Sequence, residues 1–330
     1  MINETEFGYI KWIQKHLKYS PEVLIGSGDD CAVLKINDSF LSATTDTIVE
    51  GIDFTNASPE QIGYKSVAVS LSDLAAMGGG FERLYALITV AIPKRFTKPS
   101  FSHRLFKGMH LISKRFGVQI IGGDISSTKG PITITSTLLG IGKSNPITRS
   151  GARVGDAILV TGRLGGSILG KHLSFTPRLK EAELLNHHYK ITAMIDISDG
   201  LLADLNHILE ASKGGAVLDE LSIPISSDAY KSSKTTNNPH ISPFTKGGLR
   251  VILRNVADKK SGFFHALTDG EDFELLFTAP MEEAVKIIHD NTFKKLPITI
   301  IGLIQKQKGI QLCNRNGKLV KIKPEGFRHF

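Results

Sequence analysis

The sequence predicts an α/β (α+β) protein of two domains. Three observations carry this. Strand-sized apolar runs alternate with helical periodicities along the chain. The 330 residues are enough for about two domains. The segment 144–156, SNPITRSGARVGD, is dense in turn formers and reads as a boundary between residues 1–148 and 149–330.

Residues 40–45 (FLSATT), 85–92 (YALITVAI) and 132–141 read as strands. Between the first two, Pro59 to Met77 reads as a helix. It is apolar on most sides (Ile62, Val67, Val69, Leu71, Leu74, Met77), so it should be buried, and Gly78–Gly80 stop it. Phe101, Leu105, Met109, Ile112 and Phe116 mark an amphipathic helix. Residues 118–121 (VQII) read as a short buried strand running into Gly122, Gly123 and Asp124. The second half opens with a strand, AILVTG, and has another at 192–196. A helix follows from about Asp199, with a buried stripe of Leu201, Leu202, Leu205, Ile208 and Leu209, ended by Gly214–Gly215. The polar stretch 226–246 reads as a mobile surface loop.

With 41% hydrophobic and 22% charged residues the composition is that of a globular protein. No apolar run is long enough for a transmembrane helix, and the acidic start MINETEFGYI is not a secretory signal. Cys31 and Cys313 build no disulfide framework. These features place the protein in the cytoplasm. The net charge of +8 is scattered apart from a basic C-terminal stretch, and no aromatic platform accompanies it. The expectation is a solvated basic surface, with no nucleic-acid or membrane partner.

The acidic residues, by contrast, sit in motifs. Aspartates recur beside glycines at strand ends and helix starts: Asp29 and Asp30 in GSGDDCAVL, Asp46 in TTDTIVEG, Asp73 in SLSDLAAMGGG, Asp124 in GGDIS, Asp196 and Asp199 in IDISDG. Any one of them is explained by capping or turn formation. Carboxylates at strand ends, however, tend to converge on one rim, and two of them about 4 Å apart repel by about 4 kcal/mol at an effective dielectric of 20. Such a cluster needs cations. Hard oxygen ligands with no Cys or His among them select magnesium, which commonly shares its sphere with substrate phosphates. Phosphoryl transfer is the chemistry this predicts. The glycines of GSGDD, MGGG, GGD and TGRLGG permit close backbone approach to a phosphate. Gly165 to Lys171 also matches G-x-x-x-x-G-K, but His172 follows where a phosphate-binding loop needs Ser or Thr, so a glycine-rich helix entry is the better reading.

In order, GDDCAVL, TTDT, LSDLAAMGG, IGGD, TRSGARVGD, VTGRLGGS, IDISDGL, GEDFELLF and GFRHF resemble the motifs of the thiamine-monophosphate kinase family, in the aminoimidazole ribonucleotide synthetase-like superfamily. The resemblance runs from about residue 6 to the C-terminus. It implies a two-domain fold whose N-terminal sheet pairs across a homodimer, with ATP and magnesium bound by that domain and a C-terminal α/β domain completing the nucleotide and substrate sites. Position by position it implies magnesium contacts from Asp30, Thr44, Thr45 (through its carbonyl), Asp46, Asp73, Asp124, Asp196 and Asp199. It implies nucleotide contacts from Phe106, Gly123, Asp124, Arg149 and Ser198, and thiamine contacts from Glu271 and Phe327.

The chain departs from the family pattern at three places. Asp53, a substrate-touching position, stands where the family often has histidine; Asp269 opens a D-G-E-D where the family usually has G-G-E-D; and the loop at 226–246 is longer. All three fall on the thiamine side, none on the metal side. The activity implied is ATP-dependent phosphorylation of thiamine monophosphate to thiamine diphosphate, by direct in-line transfer with no catalytic side chain beyond metal ligands. The alternatives are another ATP-using member of the superfamily, or a non-catalytic nucleotide or thiamine-phosphate binding protein. Selenophosphate synthetase would carry a reactive cysteine near a glycine-rich N-terminus, and the hydrogenase maturation enzyme a C-terminal cysteine. Here Cys31 lies inside the GDDC motif and the chain ends in Phe330.

Overall fold

The computed structural model describes residues 6–96, 98–232 and 262–327. The chain opens with α1 (Glu6–His16). It folds as two compact units. One spans Tyr19–Pro146 and Gly170–Glu183; the other takes Met1–Lys18, Ile147–Leu169 and Leu184–Phe330.

The first unit is built on a six-stranded sheet of β1 (Val23–Ile25), β2 (Ala32–Ile36), β3 (Ser39–Val49), β4 (Phe81–Pro93), β5 (Val118–Thr128) and β6 (Thr133–Gly142), in the order β1-β2-β3-β6-β4-β5. Only β4 and β5 run parallel. Between them, α2 (Pro59–Ala76) and α3 (Pro99–Phe116) cover one face of the sheet. The alternation of β6 shows that face directly, with Ile134, Ser136 and Leu138 buried.

The start of α2 follows from Ser58, Pro59 and Gln61. Ser58 caps the helix, Gln61 returns a bond to the Ser58 N–H, and Pro59 occupies the first turn, where no amide donor is needed. The end is set by Gly78, Gly79 and Gly80, all at positive φ. Fourteen of its eighteen residues are buried, as the all-round apolar pattern requires. Where α2 meets α3, two glycines set the crossing. A Cβ on Gly63 would stand 2.0 Å from the Leu105 carbonyl oxygen, and one on Gly108 2.0 Å from that of Glu60.

The expectation of a short buried strand at 118–121 is corrected. Strand β5 has eleven residues, and most are exposed. The cause is its place at the sheet edge, with a neighbour on one side only. Sequence hydrophobicity registered the VQII run and missed the polar continuation, which is held by pairing with β4.

The second unit holds β7 (Ala157–Thr161), α4 (Leu179–His188, which begins in the first unit's segment), β8 (Ala193–Asp196), α5 (Leu201–Ser212), β9 (Gly215–Asp219), α6 (Ser227–Ser232), α7 (Gly262–Thr268), β10 (Leu275–Ala279), α8 (Met281–His289), β11 (Ile298–Gln305), β12 (Gly309–Cys313) and β13 (Leu319–Ile322). Its seven-stranded sheet has the order β13-β12-β9-β11-β7-β10-β8. Strands β7, β8 and β10 are buried at every residue. A core of Ile158, Val160, Ile195, Leu201, Leu205, Ile208 and Leu276 joins α5 to the sheet.

Two local expectations are corrected here. Helix α5 ends on Lys213 in the left-handed conformation, and Gly215 opens β9, where a Cβ would meet the Gln307 carbonyl at 1.8 Å. Residues 227–232 form α6, so the expected loop at 226–246 is helical in all but the first of its described residues; the remainder lies outside the described residues. Among the described residues no helix is long and apolar enough to cross a membrane.

The helix crossing gives a first prediction. Gly63→Val should force α2 and α3 apart and cost about 1–3 kcal/mol, the usual penalty of overpacking. A urea unfolding midpoint equal to that of the parent chain would refute it.

Candidate active site

Alternation along β3 decides which side chains meet α2. Ser42, Thr44 and Ile48 are buried, and Asp46 lies on the same face. Thr45 and Thr47 point the other way, where they are exposed and bond Thr137 (3.0 Å) and Thr135 (2.8 Å) of β6. Any contribution of Thr45 to the Asp46 side must therefore come from its backbone. Helix α2 presents Ser66, Ser70 and Asp73 at spacings of four and three, hence on one stripe. Ser70 donates to Asp46 Oδ2 at 2.8 Å, and its Oγ stands 2.8 Å from the Ser136 hydroxyl. Ser136 donates to the Ser66 carbonyl at 2.5 Å. Thr44 donates to Asp73 Oδ2 at 2.5 Å.

The carboxylates converge. Oxygens of Asp30 and Asp73 lie within 4.8 Å of one another, and Asp46 is near enough for both to act on its carboxyl. Burial pushes the Asp46 carboxyl upward; the bonds from Ser70 and Asp73 oppose this, and the charges of Asp30 and Asp53 reinforce it. The Cys31 thiol, in the midst of the group, is driven well above its ordinary range by burial and then by Asp73, Asp30, Asp46 and Asp29. The donor set is oxygen throughout, with a hydroxyl orienting one carboxylate and another hydroxyl the second. Its chemistry fits a hard divalent cation such as magnesium.

Four other expected residues of this unit lie outside that group. Asp124 is exposed on β5, paired with Thr89. The cross-sheet row Asp46–Ser136–Ile88–Gly123 shows how far away it is. Three strand spacings separate the ends of that row, about 14 Å. Gly123 itself is dictated by the sheet: its φ is +152°, and a Cβ would meet the Ile88 carbonyl oxygen at 1.8 Å. Phe106 is an exposed aromatic on α3, stacked on His110. Asp53 closes the turn after β3. Its Oδ2 accepts the Val49 N–H at 2.6 Å, and its carbonyl accepts from the fully buried Lys65 at 2.6 Å. Lys65 went unnoticed in the sequence because it lies inside an apolar helix.

In the second unit three segments are stitched together. Asp196 is the buried last residue of β8. The Glu271 N–H donates to the Ser198 carbonyl (2.7 Å), the Phe273 N–H to that of Ile197 (2.8 Å), and the Phe327 N–H to that of Asp199 (3.0 Å). These bonds bring Asp196, Ser198, Asp199, Glu271 and Phe327 into one neighbourhood. Glu271 and Phe273 are held there at φ +66° and +49°, a region non-glycine residues seldom adopt and one that clusters at functional sites. Asp204, absent from the expected set, accepts the N–H groups of Asp199 (3.1 Å) and Gly200 (3.0 Å) on Oδ2. Burial raises its carboxyl well above the usual range, the charges of Asp199 and Asp196 add to this, and Arg149 opposes it. His207 is held down to about 4 by burial and then by Arg149. Polar atoms of Asp199, Asp204 and His207 lie within 4.8 Å of one another. The sequence signal for Asp204 was an aspartate inside the apolar stripe of α5.

The glycines of TGRLGGS do not offer their amides to a ligand. The Gly165 N–H donates to Asp272 Oδ2 (2.7 Å) and the Gly166 N–H to Asp269 Oδ2 (3.1 Å), while the Ser167 hydroxyl bonds Asp272 Oδ1. The suggestion of phosphate approach at this loop is therefore corrected. The Gly165 and Gly166 donors are satisfied by carboxylates of the same unit, and that of Gly162 by the Pro297 carbonyl (2.8 Å).

Fold and site now define a class. Residues 28–142 match the family model described as AIR synthase related protein, N-terminal domain, and residues 153–311 the corresponding C-terminal domain. The thiamine-monophosphate kinase of Rhodopirellula baltica is 34% identical across 98% of this chain and 97% of its own. That of Buchnera aphidicola subsp. Schizaphis graminum is 35% identical across 99% of each. A solved structure of AaThiL complexed with AMPPCP and TMP superposes with a TM-score of 0.78 at 29% identity, covering 99% of this chain and 97% of that one. The chain belongs to the thiamine-monophosphate kinase family.

The turn at Asp53 generates the second prediction. Asp53→Asn keeps an acceptor for the Val49 N–H and should melt close to the parent. Asp53→Ala should lose about 1 kcal/mol, the worth of one hydrogen bond. Equal melting of the two variants in calorimetry would show that the side chain does not hold the turn.

Proposed function

We propose that the protein transfers the terminal phosphoryl group of ATP to the phosphate of thiamine monophosphate, giving thiamine diphosphate and ADP, with magnesium as the required cation. The observation that carries this reading is the oxygen-only group of Asp30, Thr44, Asp46 and Asp73. It is found in a chain whose relatives are named for this kinase and whose structural neighbour holds AMPPCP and TMP. In this reading Asp30, Thr44, the Thr45 carbonyl, Asp46, Asp73, Asp124, Asp196 and Asp199 serve the cations. Phe106, Gly123, Asp124, Arg149 and Ser198 serve the nucleotide, and Asp53, Glu271 and Phe327 serve the thiamine end.

The attacking atom is a phosphate oxygen, whose second pKa of about 6 leaves it ionised at neutral pH. No general base is needed, because the attacking oxygen is already ionised. The obstacle is the approach of two anions. Bound magnesium supplies the charge neutralisation and alignment for in-line attack. The task of the chain's own groups is positional. Thr44 and Ser70 each orient a carboxylate, that of Asp73 and that of Asp46, by a hydrogen bond, and Arg149 adds a positive charge.

Cys31 bears on the rival chemistry. A thiol buried and surrounded by carboxylates is a poor nucleophile, which disfavours a reaction running through it. A non-catalytic binding protein would have no need for the intact aspartate set. We further place the protein in the cytoplasm as a homodimer formed through the first unit's sheet, whose edge strand exposes Ile121 and Ile125.

Asp46→Asn or Asp73→Asn should lower turnover at least about a hundredfold, roughly 2.7 kcal/mol. Near-parental turnover of either variant at saturating ATP and magnesium, in an ADP-release assay with thiamine monophosphate, would remove the metal role. ATP with magnesium should also raise the melting temperature, since a ligand at a hundred times its Kd stabilises the folded state by about 2.7 kcal/mol. EDTA should lower it by leaving the carboxylates uncompensated. Melting curves that coincide in all three conditions would contradict cation binding at the cluster.

A further inference from the structure

We propose that Ser212, the last residue of α5, is a positioning residue for Arg149, and that through it α5 sets the affinity for the nucleotide. The inference rests on the reading of Arg149 as a nucleotide contact. One hydroxyl engages three backbone groups of the loop that carries this arginine. Ser212 Oγ donates to the Arg149 carbonyl at 3.2 Å and accepts the N–H groups of Gly151 at 3.2 Å and Ala152 at 3.1 Å. A serine hydroxyl has one proton and two lone pairs, so all of its capacity is directed at residues 149–152.

The anchor works together with bonds that reach the same loop from its N-terminal side. Thr148 bonds the carbonyl and hydroxyl of Ser150, and the Met194 N–H reaches the Thr148 carbonyl. The first links the residues on either side of Arg149, and the second ties Thr148 to β8. The residues after Arg149 turn through Gly151 at φ +125°, packed with its α-carbon against the Thr192 carbonyl, where a Cβ would stand at 2.4 Å. Ser212 closes this turn by holding Arg149 together with Gly151 and Ala152. At the other end of the same helix Asp204 holds the amides of Asp199 and Gly200. Helix α5 thus grips two loops, each with a residue expected to face ATP or its cations. Arg149 also lies close enough to Asp204 and His207 for its charge to move both. A shift of the Arg149 backbone would be transmitted to the guanidinium, and the loss would be confined to what that group binds.

The test is Ser212→Ala beside Ser212→Thr, in steady-state kinetics with each substrate varied in turn and in calorimetric titration with a non-hydrolysable ATP analogue. Ser212→Ala should weaken the analogue and raise the KM for ATP about tenfold, equivalent to about 1.4 kcal/mol. The KM for thiamine monophosphate should stay within about twofold, a difference below 0.5 kcal/mol on the same scale. Ser212→Thr, which keeps the hydroxyl, should recover parental values. Should the alanine variant not fold, Ser212→Cys, with a weak acceptor of similar size, reads the same split. An unchanged affinity for the analogue overturns the proposal, as do equal losses for both substrates or a folded threonine variant as impaired as alanine. The analogue titration does not depend on the acceptor. If the parent protein fails to phosphorylate thiamine monophosphate yet Ser212→Ala still weakens the analogue, the proposed reaction fails and the positioning role stands.

Discussion

Everything in the first unit is arranged around the cost of holding several carboxylates close together. Two such charges about 4 Å apart oppose one another by about 4 kcal/mol even at an effective dielectric of 20. Asp30, Asp46 and Asp73 are nonetheless gathered around a buried thiol. The fold offsets part of that cost with neutral hydroxyl donors. Thr44 faces Asp73, Ser70 faces Asp46, and Ser136 locks Ser70 to the sheet and to the helix backbone at Ser66. These polar residues lie in a helix and strands that would otherwise be apolar, and each has a partner. An unpartnered hydroxyl there would cost about 1–3 kcal/mol. The arrangement therefore fixes the register of β3 against β6 and the rotation of α2 at the same time.

The second unit divides its carboxylates into two kinds. Asp272, Asp269 and Asp204 turn inward and accept backbone amides, two on the glycine loop at 165–166 and one at the start of α5. Asp196, Asp199 and Glu271 are placed by those structures, through backbone bonds among residues 197–199, 271–273 and 327. Two aspartates five residues apart, Asp199 and Asp204, thus do different work. One is positioned and the other positions it. Ordering the loops in advance spares a ligand the entropy of ordering them, about 1–2 kcal/mol for each backbone residue fixed.

What the sequence revealed follows from the range of the forces involved. The extent of α2 and its glycine stop are local, and they were legible from Pro59 and Gly78–Gly80; the Ser58 cap, though equally local, was not read. The amphipathic stripe of α3 was legible too, with Leu105, Met109 and Ile112 buried. Strand β5 was not, because its polar half is a strand only by pairing with β4. Among site residues, motif aspartates beside glycines were visible as a class, but their division into gathered and separate was not. Nothing local tells Asp124, on an edge strand, from Asp46, on an interior one. Lys65, Asp204 and Ser212 were hidden for a related reason. Each bonds a backbone group that only the folded chain brings near, and each sits inside a helix whose pattern already had an apolar explanation.

The departures on the thiamine side take on a physical meaning in this light. An added carboxylate beside an anionic substrate would raise the cost of binding it, unless something else neutralises or engages that carboxylate. At Asp53 an oxygen is engaged by the Val49 N–H within the same turn. At Asp269 the carboxylate accepts the Gly166 N–H and meets His265, one helical turn earlier on α7. Its backbone does not lie in the left-handed region that would have demanded glycine, so an aspartate enters without strain. Both substitutions are therefore absorbed by hydrogen bonds of the loop in which they occur. The charge itself remains, and that of Asp53 still bears on the Asp46 carboxyl; what the hydrogen bonds remove is the freedom of each side chain to turn away from its loop. Both aspartates therefore have a part in holding their loops that is separate from any contact with the substrate.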